Sequence, residues 1–121
     1  MYLLVIVIND TINLNKILKR FLEIDVRGAT IINSTGMGTI LSDDIPVFSS
    51  LRNFLSGSDN RIENNTIFSV IKTEETLKKA MEEINKIVNF SKPGSGIMFC
   101  LPVLEFFGLA DPINKEENWC L

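Results

Sequence analysis

The side chains able to do chemistry in this sequence are few, and their types exclude more than they suggest. The sequence has no histidine, so the usual general base near neutral pH and the commonest metal ligand are both missing. Cys100 sits inside an apolar run with no positive neighbour in sequence, which reads as a buried structural thiol rather than a nucleophile. Neither it nor Cys120 belongs to a CxxC or Cys/His spacing suited to zinc. Asp43 with Asp44, and Asp59 with Glu63, are pairs of carboxylates, but they stand in polar stretches without calcium-loop spacing and read as solvated acids rather than a metal site. No constellation for catalysis remains, and the expectation is a protein that is not an enzyme, with no metal site and no certain cofactor.

Two glycine-bearing turns are the better candidates. Thr35, Gly36, Met37, Gly38 and Thr39 follow a β-branched run, and Pro93, Gly94, Ser95 and Gly96 precede an apolar one. Glycine permits positive φ and close backbone approach, so each turn can offer N–H groups to an anion, with the Thr and Ser hydroxyls assisting. Each can equally do no more than redirect the chain. Thr35, Gly36, Met37, Gly38, Thr39, Gly94, Ser95 and Gly96 are the effector-binding residues expected from sequence.

The elements that must position these turns can be read from periodicity. At 121 residues, 13.6 kDa and 45% hydrophobic content, the chain suits one domain with a real core. The net charge of −3, without a lysine or arginine cluster, gives no footprint for nucleic acid or an acidic membrane surface. Two cysteines do not make a disulfide framework and fit a reducing cytoplasm. The apolar stretch Met1–Ile8 is too short to span a bilayer and lacks the basic flank of a signal peptide, so neither membrane insertion nor secretion is expected.

Tyr2–Ile8 is apolar on both faces and reads as a central strand. Asn9, Asp10 and Thr11 supply acceptors for a helix start, and Leu14, Ile17, Leu18, Phe21 and Leu22 recur at helical spacing to about Asp25. Val26–Thr35 reads as the second strand. Ile45–Leu55 reads as a short helix with Pro46 in its first turn, and Asn65 or Thr66 to Ile71 as the third strand. Thr73 opens a helix whose apolar stripe is Leu77, Ala80, Met81, Ile84, Ile87 and Val88, with Glu74–Lys78, Glu75–Lys79 and Glu82–Lys86 as i,i+4 pairs on its wet face. Ile97–Val103 reads as the fourth strand. The domain is expected over residues 1–110, with 111–121 an aperiodic tail.

Strand, helix, strand, strand, helix, strand, with an extra short helix between strands two and three, predicts an α+β, ferredoxin-like βαββαβ fold: an antiparallel sheet with both long helices on one face. The other face is then open. Because the first and fourth strands are apolar at nearly every position, another copy of the chain is expected to cover it. In this fold the end of strand two and the start of strand four can share an edge of the sheet, which would set both glycine turns beside one cleft.

Three stretches carry a family resemblance. Val26-Arg27-Gly28-Ala29-Thr30 is similar to the V-R-G-x-T of PII-type signal-transduction proteins, Thr35-Gly36-Met37-Gly38 to their R-G-x-G at the base of the T-loop, and Pro93–Val103 to their G-x-G-K-I-F-V-x-P-V. The chain resembles this family across roughly Met1–Val103. The resemblance implies a cytoplasmic homotrimer with inward-facing sheets, an effector site between subunits, and a regulatory role, in nitrogen regulation for the family. The sequence departs from the nucleotide-binding members. Thr39 stands where they have a basic residue, Ile97 where they have a lysine, and Leu104–Leu109 contains no arginine. Backbone N–H groups replace lost cations poorly at a triphosphate, so neither tight ATP binding nor uridylylation of a T-loop tyrosine is expected, with Lys92, Arg27 and Arg52 as the cations that would have to compensate. The alternatives are a CutA-like trimeric metal-tolerance protein of the same fold, which the lack of histidine disfavours, and a trimer that binds only a protein partner.

Overall fold

The computed structural model describes residues 1–9, 11–41 and 64–109. The expected helix Ile45–Leu55, the acids Asp43, Asp44, Asp59 and Glu63, Arg52, and the tail 111–121 with Cys120 lie outside the described residues.

The described elements are β1 (Tyr2–Ile8), α1 (Thr11–Glu23), β2 (Thr30–Ser34), α2 (Met37–Ile40), β3 (Asn64–Ile71), α3 (Glu74–Ile87) and β4 (Gly96–Pro102). The four strands form one sheet in the order β2-β3-β1-β4, every neighbouring pair antiparallel. This is the α+β, ferredoxin-like arrangement that the element order predicts. β1 is central as its two apolar faces require, with Leu4 opposite Ser69 on one side and Cys100 on the other.

The core lies between the sheet and the long helices. Leu4, Ile6 and Ile8 of β1 and Ile67 and Ile71 of β3 meet Ile17 and Phe21 of α1 and Leu77, Ala80 and Ile84 of α3, all buried. Period two in the strands and three-four spacing in the helices put these residues on facing surfaces. Arg20 ties the helices at their wet edge, its Nη1 standing 3.3 Å from Glu83 and 3.3 Å from Glu23. Thr73 caps α3 by accepting the Thr76 N–H at 3.2 Å. Of the charged pairs on α3, Glu74–Lys78 forms at 3.4 Å, whereas Lys86 turns to Glu83 rather than Glu82.

The second strand is shorter than its β-branched run suggests, and the reason is the end of α1. Val26 N–H bonds Phe21 O at 2.8 Å and Asp25 N–H bonds Leu22 O at 3.3 Å, the paired closure of a Schellman motif. Asp25 takes the left-handed position usually given to glycine, at φ 67°, and its carboxylate pairs with the Arg27 guanidinium. Ser69, buried on the helix side of β3, then donates to Gly28 O at 2.7 Å and holds the connecting segment to the sheet. Residues 26–29 serve as helix cap and tether, so the ladder begins at Thr30.

Candidate functional site

Both glycine turns stand at the same end of the sheet. β1 and β2 end there, β3 and β4 begin there, and the register sets Ser34 opposite Asn64, Asn65 opposite Ile8, and Ile8 opposite Gly96. The turns border opposite edges of the sheet, however, because β2 and β4 are its two outer strands. Three strand spacings, about 14 Å, separate them within one protomer. Thr35, Gly36, Met37, Gly38 and Thr39 therefore form one cluster, and Gly94, Ser95 and Gly96 another.

At the first cluster the chain turns directly into α2, a single helical turn. Gly36 is its N-cap at φ −80° and Gly38 lies within it, so neither uses the positive φ that glycine makes available. Gly36 answers to space instead: a Cβ there would stand 3.1 Å from Asn64 Nδ2, tighter than ordinary packing. The Gly36 carbonyl accepts the Thr39 and Ile40 N–H groups at 3.1 and 3.2 Å, which withdraws those two donors from any ligand. Met37 and Ile40 are about two-thirds exposed.

The second cluster uses its glycines differently. Gly94 has φ 77° and Gly96 φ 139°, conformations that side chains oppose. A Cβ on Gly96 would stand 2.2 Å from Val7 O, so only glycine lets β4 start against β1 here. The approach to this turn is closed by local bonds: Lys92 N–H to Asn89 O at 3.1 Å, Ser95 N–H to Lys92 O at 3.2 Å, and Ser91 N–H to Asn89 Oδ1 at 3.2 Å. Asn9, expected as an acceptor at the start of α1, donates its side-chain amide to Gly94 O across the sheet end. No local pattern announces that contact, because the two residues are far apart in sequence. Ser95 Oγ is buried with no hydrogen-bond partner, an uncommon condition for a hydroxyl.

The candidate cations separate clearly. Lys92 is exposed in the second turn. Arg27 precedes β2 and lies at the far end of the sheet, about 17 Å of strand from Ser34. It is mostly buried and engaged by Asp25, so within a protomer it does not serve either turn. Among the described residues no three His, Cys, Asp or Glu side chains are grouped as a metal would need. Cys100 is exposed, not buried as its apolar run suggests. It faces the helix side, opposite Leu4, but β4 is an outer strand and the helix packing is on β1 and β3.

No family model and no curated protein matches the sequence. Among solved structures, the crystal structure of Arabidopsis thaliana PII bound to citrate is similar at a TM-score of 0.56 and 15% identity, over 84% of this chain and 76% of that one. The fold is PII-like. The three stretches of sequence resemblance take distinct places in it: Val26–Thr30 is cap and tether, Thr35–Gly38 leads into α2, and Pro93–Val103 is the turn and strand β4. Among the described residues no helix is long and apolar enough to cross a membrane.

Proposed function

We propose that the chain is a non-catalytic, PII-like regulatory protein acting as a cytoplasmic homotrimer, with a small effector taken between subunits by Thr35–Thr39 of one copy and Gly94–Gly96 of the next. The observation that carries this reading is the placement of the two turns at one end of the sheet but on opposite edges. A site using both is completed only where the β2 edge of one protomer approaches the β4 edge of another. The PII-like fold supports a regulatory role over catalysis, and nitrogen regulation is the context that the resemblance favours. The apolar open face, described below, supports self-association.

Thr39 and Ile97 supply no charge, so a mono- or dicarboxylate, or an uncharged effector, suits the clusters better than a nucleotide triphosphate. The protein similar in fold binds citrate, and that makes carboxylates the first ligands to try. Thermal unfolding with 2-oxoglutarate, citrate, ATP, ADP, cyclic dinucleotides and divalent metals tests the proposal. A ligand of the native state at about a hundred times its Kd adds about 2.7 kcal/mol, which raises the Tm by several degrees. A shift with a carboxylate that is lost in Gly36→Val supports the site. No shift with any of them overturns the effector and favours the second reading, a trimer that docks a protein partner. Exposed Met37, Ile40 and Ile97 at this end of the sheet favour that reading over an empty surface.

A further inference from the structure

The tip of the second turn is held to the rest of the fold by one side chain. Residues 92–95 have the pattern of a type II turn: Ser95 N–H bonds Lys92 O at 3.2 Å, Pro93 takes the second position, and Gly94, at φ 77°, takes the third. The other bonds of the tip, Lys92 N–H to Asn89 O and Ser91 N–H to Asn89 Oδ1, also stay within residues 89–95. Gly96, set against Val7 O, then fixes the start of β4. Among the described residues, the one hydrogen bond that joins this tip to a distant part of the chain is donated by the Asn9 side-chain amide to Gly94 O. Two effects oppose each other there. The Asn9 bond lies at the surface, where water replaces it readily, so it favours the closed tip by only about 3- to 10-fold. Closure also buries the Ser95 hydroxyl without a partner, and lifting the tip would let water satisfy it. The closed and lifted forms are therefore close in free energy.

We propose that Asn9 is the positioning residue of the Gly94–Gly96 cluster: its amide latches the tip over the Ser95 hydroxyl, and a ligand reaches that hydroxyl only when the latch releases. The inference rests on the effector site proposed above and adds how its second half is gated. In the lifted form the Ser95 O–H donates to a ligand oxygen and gains the partner that the closed form denies it. A ligand of the lifted form has its apparent affinity reduced by the fraction of chains that are lifted. Asn9 thus weakens binding, the opposite of a side chain that contacts the ligand.

Ser95→Cys in a full chain carrying Cys100→Ser and Cys120→Ser reports lifting as the rate of alkylation by iodoacetamide. Adding Asn9→Ala, or the same-shaped Asn9→Asp that lacks the donor, is expected to speed alkylation about 3- to 10-fold, with circular dichroism confirming that each chain is folded. Equal rates with and without the Asn9 amide overturn the latch. Independently, Ser95→Ala deletes an unpaired group and should leave the Tm unchanged or higher. A fall of several degrees means that the hydroxyl is paired, and overturns the balance on which the latch depends. Titration calorimetry with citrate as the probe tests the gating, and Asn9→Ala should bind it several-fold more tightly than the unaltered chain. Weaker binding makes Asn9 a ligand contact and overturns the latch. Citrate bound by no chain counts against the effector site, while the alkylation rates still decide whether Asn9 holds the tip.

Discussion

The two faces of one sheet are buried to different degrees although their compositions are close. On the helix side, Leu4, Ile6, Ile8, Ile67 and Ile71 are buried at 2% exposure or less. On the other side, alternate residues of the same strands are as apolar: Leu3, Val5 and Val7 of β1, Phe68 and Val70 of β3, and Ile97, Phe99 and Leu101 of β4. Val5, flanked in the ladder by Phe68 and Phe99, is buried there, whereas Ile97 is 56% exposed and Leu101 47%. Hydrophobicity by itself thus does not say where the core lies. Among the described residues the two long helices, α1 and α3, decide it, and both pack on one side.

This contrast can be broken experimentally. Ile6→Ala removes a fully buried side chain from the covered face and is expected to cost about 2–5 kcal/mol in denaturant unfolding. A loss under about 1 kcal/mol would mean that the two faces are not so different. Gly96→Ala comes next, at about 2 kcal/mol or more, because the added carbon meets the Val7 carbonyl and φ 139° disfavours a side chain. It is checked by the same unfolding curves and by loss of amide protection along β4. Thr73→Ala, which takes the cap from α3 beneath the covered face, should cost about 1 kcal/mol. Ile97→Thr on the open face should change protomer stability by under about 0.5 kcal/mol when measured at dilutions where copies are apart. The same variant should weaken association at higher concentration, and an equal effect in both regimes would erase the distinction.

Much of the fold was legible because the periods are clear. Seven consecutive apolar residues called for a central strand, and the stripes of α1 and α3 repeat at three and four. What escaped was set by contacts between distant residues. The start of β2 was obscured because Val26 and Asp25 spend their N–H groups on the end of α1, and a β-branched run carries no mark of that competition. Cys100 looked buried because strand composition does not tell an outer strand from an inner one. The glycines of both turns were visible, but their reasons were not: Gly36 is small for the sake of Asn64, and Gly96 for the sake of Val7. Those reasons depend on register, which emerges only once four strands are paired. For the candidate site the residues could be named, while their division between two edges of the sheet could not.

The central position of β1 has a consequence for how the protein is made. Its partners, Asn65–Ile71 and Gly96–Pro102, are synthesised long after it, so the most apolar strand leaves the ribosome well before anything can pair with it. Contacts so distant in sequence slow folding through loop-closure entropy, and a waiting strand of this composition is a natural substrate for chaperones. β1 meets its first partner only when β3 has been delivered, and the sheet is complete only with the outer strand β4.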